Sequence, residues 1–181
     1  MRLPSLSLVI GGASSGKSAF AERLVHAAGL TKTYLATAQA FDDEMRRKIA
    51  LHQARRSGQG WRVIEAPIKA APVLAAMGRE EIALVDCATL WLTNVMLAEM
   101  DWDKQATGLI GAMTESAAPV IVVTNEVGQG IVPETRLGRR FLTAQGLLNQ
   151  RLAAEADLVV QIIAGLPQVL KGTLPEGEPR W

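Results

Sequence analysis

Eight consecutive residues, Gly11, Gly12, Ala13, Ser14, Ser15, Gly16, Lys17 and Ser18, follow the largely apolar run Leu6 to Ile10. Their types and spacing suit the cradling of a nucleoside triphosphate. Gly11 and Gly16 permit backbone angles that a side chain would forbid, so successive N–H groups can turn inward towards phosphate oxygens. Lys17 would reach the β and γ phosphates, and the Ser18 hydroxyl would ligate Mg²⁺. The stretch Ala19 to Val25 has helical composition and would aim its positive dipole end at the same anion. A plain glycine-rich turn is the competing reading, but strand, loop and helix here agree on a P-loop.

Three further groups could take part in phosphate chemistry. P-loop enzymes need an acidic residue at the end of a neighbouring strand to hold Mg²⁺, directly or through water, and Asp86 follows the short apolar run Ile82 to Val85. The bland alternative is an N-cap for the segment after it. His52 shares a helical face with Ile49, Arg55 and Arg56, three or four residues away. Guanidinium groups there would bind oxygens and help keep the imidazole neutral, and histidine can attack phosphorus to give a phosphoramidate. Against this stands an ordinary solvated surface histidine. The third group is Thr124, Asn125 and Glu126 with the loop to Glu134, where an apolar strand meets glycines at the edge expected to hold ligand. It could position a substrate or form a switching loop, or be a simple strand-to-helix turn. His26, roughly 15 Å along the first helix from the phosphate end, reads as structural. Arg151 could face phosphate or solvent.

The elements that must hold these residues alternate between strand and helix. Beyond the first strand and helix, strands are predicted over 33–37, 61–65, 82–85, 119–124 and 158–163, and helices from Asp42 to about Arg56 and over 69–77, 90–100, 104–116 and 136–157. Asp101 is a candidate cap for the fourth of these. Continuous apolar strands of this kind belong to parallel sheets covered on both faces. The fold class is therefore α/β, a P-loop NTPase-type open, mostly parallel sheet with helices on both faces and the site at the strands' carboxyl ends.

Bulk properties narrow the class further. With 181 residues, 49% hydrophobic and 20% charged, the chain suits a single domain, 1–181, with residues 173–181 as a surface or interface tail. Its 19 basic and 18 acidic side chains nearly cancel, so no net field favours nucleic acid or an anionic membrane. The lone Cys87 excludes an internal disulfide and suits a reducing cytosol. No apolar run approaches a membrane span, and the N-terminal segment is too short for a secretory signal. The expectation is a cytoplasmic protein acting on small molecules.

Taken in order, the P-loop, Tyr34-Leu35-Ala36-Thr37, Asp42-Asp43-Glu44-Met45 with His52 beyond, Trp91-Leu92-Thr93-Asn94, Thr124-Asn125-Glu126-Val127-Gly128, Ile131-Val132-Pro133-Glu134 and Asn149-Gln150-Arg151-Leu152-Ala153 form a distinctive series. The series resembles the bifunctional adenosylcobinamide kinase and adenosylcobinamide-phosphate guanylyltransferase family of cobalamin biosynthesis, from Leu8 to about Lys171. The resemblance implies phosphorylation of the aminopropanol hydroxyl of adenosylcobinamide, then transfer of GMP from GTP to adenosylcobinamide phosphate with release of pyrophosphate. It implies that His52 is the guanylylated residue. Nucleotide contacts, from ATP or GTP with Mg²⁺, would carry over to Gly11 through Ser18, Thr37, Ala38, Gln39, Gln53, Ala54, Arg55, Arg56, Glu65 and Asp86, and the assembly would be a homotrimer. Ser14 stands where arginine is common, and Asp86 where some members have glutamate. Two other readings compete: a monofunctional P-loop small-molecule kinase, for which His52 would be incidental, and a nucleotide-dependent partner-binding protein.

Overall fold

The computed structural model describes residues 3–39, 43, 46, 47, 50, 54, 56 and 58–175. Seven strands form one sheet: β1 (Leu6–Gly11), β2 (Thr31–Ala36), β3 (Trp61–Glu65), β4 (Glu81–Asp86), β5 (Val120–Asn125), β6 (Leu158–Ile163) and β7 (Leu166–Lys171). Five helices are fully described: α1 (Lys17–Ala28), α2 (Ala70–Ala75), α3 (Ala88–Leu97), α4 (Trp102–Glu115) and α5 (Arg136–Glu155). The helix expected over 42–56 falls mostly outside the described residues, although Asp43, Arg46, Arg47, Ala50, Ala54 and Arg56 are helical.

The strand order is β3-β2-β4-β5-β1-β6-β7, parallel except for the antiparallel β6–β7 pair. Strands β4, β5 and β1 are almost wholly buried because both faces carry apolar side chains that meet helices. On one face Val9, Leu84, Ile121 and Val123 pack against Phe20, Leu24 and Val25 of α1. On the other, Leu8, Val85 and Val122 meet Leu74 of α2, Trp91 and Leu92 of α3, Leu109 and Met113 of α4, and Leu148 and Leu152 of α5. The Trp91 indole N–H donates to the Ile68 carbonyl, which fixes the entry to α2 against α3. Asp101 caps α4 by accepting from the Asp103 and Lys104 N–H groups, as its position suggests.

Two differences from the sequence expectation bear on the site. Asp86 was expected on a strand next to the P-loop strand, but β5 lies between β1 and β4. Strand β7 was not expected at all. It follows a two-residue turn, Ala164-Gly165, with both residues in the left-handed region at φ 51° and 82°. Its side chains are mostly exposed, so no buried face leaves a periodic mark in the sequence. Leu174, at the start of the expected tail, packs against the α1-side core.

Candidate phosphate-binding site

The loop between β1 and α1 is built to point its N–H groups at an anion. Ser14 (φ 56°) and Gly16 (φ 96°) are both left-handed, and Gly16 is the residue from which α1 starts. The carbonyls are held from outside. The Glu126 N–H donates to the Gly11 carbonyl at 3.0 Å, and the Gly165 N–H in the β6–β7 turn donates to the Ser15 carbonyl at 2.9 Å. A Cβ on Gly16 would lie 3.3 Å from the Gly165 Cα, and a Cβ on Gly11 would lie 2.7 Å from the Ile162 carbonyl oxygen. Glycine at both positions thus lets β6 and the turn that follows it approach the cradle. Gly165 is a functional residue that the sequence reading missed, because its part depends on a hairpin with no local signal.

Lys17 rests its ammonium on the Gly12 carbonyl at 2.9 Å. Burial lowers its pKa from the usual 10.5, and the charge of Asp86 works against that shift.

Asp86 ends β4 and accepts a hydrogen bond from the Tyr34 hydroxyl at 3.0 Å through one carboxylate oxygen. It does not cap α3, whose N-cap is Cys87. The Asp86–Cys87 peptide is cis, and the buried Thr37 hydroxyl accepts from the Cys87 N–H at 2.7 Å and donates to its carbonyl at 2.8 Å. Thr37 thereby clamps the turn that presents Asp86, so its side chain is engaged with protein, while Ala38 and Gln39 continue towards the surface. Arg56 is buried, with its guanidinium 3.6 Å from the Tyr34 ring centroid and 3.2 Å from the Glu22 carboxylate. It supports Tyr34, and through Tyr34 the carboxylate of Asp86.

Glu65 is exposed at the end of β3, four strands from β1 and so roughly 19 Å away across the rim. His52, Gln53 and Arg55 lie outside the described residues, and Ala54 is exposed. His26 is tied to Gln59 and Lys32, in keeping with a structural role. Arg151 is half-buried at the surface, where it pairs with Asp103 at 2.7 Å and donates to the Thr107 hydroxyl.

Burial also raises two acidic groups beside Asp86. The Cys87 thiol is pushed from 9.0 up to about 12 by burial and then by the Asp86 charge, and the Tyr34 hydroxyl is raised for the same reasons. Above pH 9 the unfolded chain releases the Cys87 proton while the folded one keeps it, so this thiol contributes a loss of stability as pH climbs from 9 towards 12. Lys17, with its lowered value, acts in the opposite sense. Cys87→Ala should start from a lower melting temperature and lose less of it between pH 9 and 11 than the parent protein. Equal losses would show that the thiol plays no part.

The end of β5 is pinned from beneath. The Thr124 hydroxyl donates to the Asn149 side-chain oxygen at 2.7 Å, and the Gln145 amide donates to both Thr124 and Asn149. Asn149 in turn donates to the Asn125 carbonyl, while the Asn125 N–H donates to the Thr89 hydroxyl at 2.8 Å. This network carries β5 straight to Glu126. A cleft of about 610 Å³ opens there, with Gly12 to Ser15 on one wall and Glu126, Val127, Gln129, Gly130 and the β6–β7 turn on the others.

The family model for "cobinamide kinase / cobinamide phosphate guanyltransferase" matches residues 7–170. The bifunctional adenosylcobalamin biosynthesis protein CobP of Pseudomonas aeruginosa is 45% identical over 172 residues, covering 91% of this chain and 96% of the relative. The chain belongs to the cobinamide kinase / cobinamide phosphate guanyltransferase family. CobU of Escherichia coli, another bifunctional adenosylcobalamin biosynthesis protein, is 38% identical over 180 residues, covering 91% of this chain and 98% of the relative. A solved Pyrococcus horikoshii protein shares the fold at a TM-score of 0.54 with 9% identity, covering 97% of this chain and 90% of that one. The family match runs from β1 into β7, so the hairpin that braces the P-loop lies within it. Among the described residues no helix is long and apolar enough to cross a membrane.

Proposed function

We propose that this family member phosphorylates the hydroxyl of adenosylcobinamide with ATP or GTP, and then moves GMP from GTP onto the adenosylcobinamide phosphate so formed. The observation that carries this reading is the braced cradle of Gly11 to Ser18, with the Lys17 ammonium on the Gly12 carbonyl and within the electrostatic reach of Asp86, in a chain of this family. Ser18 and Asp86 supply a hydroxyl and a carboxylate, a hard oxygen set that fits Mg²⁺. When bound, Mg²⁺ would offset phosphate charge.

The other roles follow from chemistry. Backbone N–H groups of Gly12 to Lys17 and the Lys17 ammonium hold the phosphates and stabilise the charge that gathers on departing pyrophosphate. Neutral His52 attacks the α phosphorus, the bond to pyrophosphate breaks, and the corrinoid phosphate later displaces the imidazole. Arg55 and Gln53, beside His52 in the chain, take nucleotide oxygens. Glu65, Ala38 and Gln39, far along the rim from the P-loop, take the sugar or base end. The working assembly is a homotrimer in the cytoplasm.

The test is to incubate the protein with Mg²⁺ and GTP labelled on the α phosphate, alongside His52→Ala. The parent protein should carry an acid-labile, alkali-stable label that adenosylcobinamide phosphate discharges into a corrinoid product, and His52→Ala should carry none. Corrinoid phosphorylation without any protein label would instead indicate a monofunctional kinase. Equal labelling of both proteins would remove His52 from the mechanism.

A further inference from the structure

We propose that Glu126 is the general base of the kinase half-reaction, the group that takes the proton from the corrinoid hydroxyl as it attacks the γ phosphorus. The inference rests on the functional reading above and assigns a residue that the nucleotide contacts leave out.

Position is the first argument. In the parallel register Asn125 lies beside Gly11, and the Glu126 N–H is bonded to the Gly11 carbonyl. The side chain therefore leaves the backbone at the mouth of the P-loop. It borders the cleft whose opposite wall is Gly12 to Ser15, and among the described residues lining that cleft it is the sole ionisable one. Lys17 marks which end of the phosphate chain comes there, because its ammonium sits on the Gly12 carbonyl and is the group that reaches the β and γ phosphates.

Cost is the second. A carboxylate beside a phosphate site repels the ligand that the site exists to hold, so its presence calls for a task that an anion performs. Asp86 already offers a carboxylate towards the metal side, and the Tyr34 hydroxyl occupies one of its oxygens. A second role remains open, that of proton acceptor.

Precision is the third. Three buried side chains, Thr124, Gln145 and Asn149, make a hydrogen-bonded core whose outward contacts include both backbone groups of Asn125, reached through Asn149 and Thr89. Such a network holds the backbone from which Glu126 leaves, and a base needs a firmly placed origin. The carboxylate itself accepts from the Gly128 N–H. A Cβ at Gly128 would come within 2.9 Å of that same oxygen, so glycine keeps the space in which the carboxylate lies.

The step balances without any further reactant. The corrinoid O–H bond breaks with its proton passing to a Glu126 oxygen, the new O–P bond forms at the γ phosphorus, and the bond from that phosphorus to the β–γ bridging oxygen breaks. Nucleoside diphosphate leaves, and Glu126 later gives its proton to water. Guanylyl transfer needs no such acceptor, because neutral His52 attacks through an unprotonated ring nitrogen and the corrinoid phosphate that displaces it is already ionised.

Glu126→Gln keeps an oxygen for the Gly128 N–H and removes the base. Both half-reactions would be measured separately on parent and variant, phosphorylation with ATP and adenosylcobinamide, and guanylyl transfer with GTP and adenosylcobinamide phosphate supplied ready made. The expected result is a fall of about 10² to 10⁴-fold in kcat for phosphorylation, nucleotide KM within a few-fold of the parent, and guanylyl transfer much less affected. Equal rates of phosphorylation in the two proteins would overturn the inference, and so would a parallel loss of both half-reactions, which would make Glu126 a shared nucleotide or metal contact. Should the variant melt early, Glu126→Ala with added formate decides the matter: formate restores phosphorylation or the inference fails. A parent protein inactive in both half-reactions would fail the functional reading itself.

Discussion

Lys17→Ala should abolish phosphorylation and guanylyl transfer together, each by on the order of 10³-fold, with little change in melting temperature. Within the protein the ammonium donates to the Gly12 carbonyl, and burial disfavours its charge. Its removal therefore takes little from the fold. A bound triphosphate changes the balance, since the phosphate oxygens supply negative charge to the ammonium. Lys17→Arg should not rescue, because a planar guanidinium cannot occupy the space of a compact ammonium over a backbone carbonyl. The check is to assay both half-reactions beside a thermal melt. His52→Ala, by contrast, is expected to lose one half-reaction only, so the pair of variants separates phosphate binding from covalent catalysis. A Lys17→Ala protein that retained either activity near the parent level would place the phosphates elsewhere.

The second large effect is on stability. Arg56→Ala should destabilise the protein by about 3 kcal/mol, seen as a drop of roughly 6–12 °C in melting temperature for a chain of this size. The guanidinium is buried between the Tyr34 ring and the Glu22 carboxylate. Its loss leaves Glu22 without its partner and opens a void under Tyr34, whose hydroxyl holds Asp86. Arg56→Lys should recover only part, because a lysine cannot stack on the ring and reach the carboxylate with the same planar group. A normal melt together with weakened nucleotide binding would return Arg56 to the direct nucleotide contact that the sequence resemblance implies.

Arg56 also illustrates where a sequence stops being readable. Its spacing from His52 suggested a phosphate ligand, yet nothing local reveals that Tyr34 and Glu22, on two other elements, enclose it. The P-loop was legible because strand, turn and helix are contiguous, and every geometric demand falls on adjacent residues. Strands β4, β5 and β6 were legible because burial on both faces leaves near-continuous apolar runs, interrupted in β6 only by Gln161. Strand β7 was not, since it is an exposed edge strand containing Pro167 and entered through an Ala-Gly turn instead of the usual Asn-Gly. The position of β5 between β1 and β4 was equally hidden, because order in a parallel sheet depends on which crossover goes which way, and the crossover lengths here do not say. With that order unknown, Glu126 could be placed at the rim but not beside Gly11.

The strand neighbours of β1 have a consequence for how the chain reaches its folded form. The phosphate-binding motif precedes both of its strand partners by a long stretch of chain, since β1 pairs with β5 and β6, which begin at Val120 and Leu158. Its loop then takes a hydrogen bond from Gly165. Contacts of such sequence separation carry a high loop-closure entropy and slow the assembly of the sheet's centre. The cradle therefore forms late in folding, and a nascent chain in which the segment from Leu158 to Gly165 is not yet made has no finished nucleotide site with which a ligand could stabilise it.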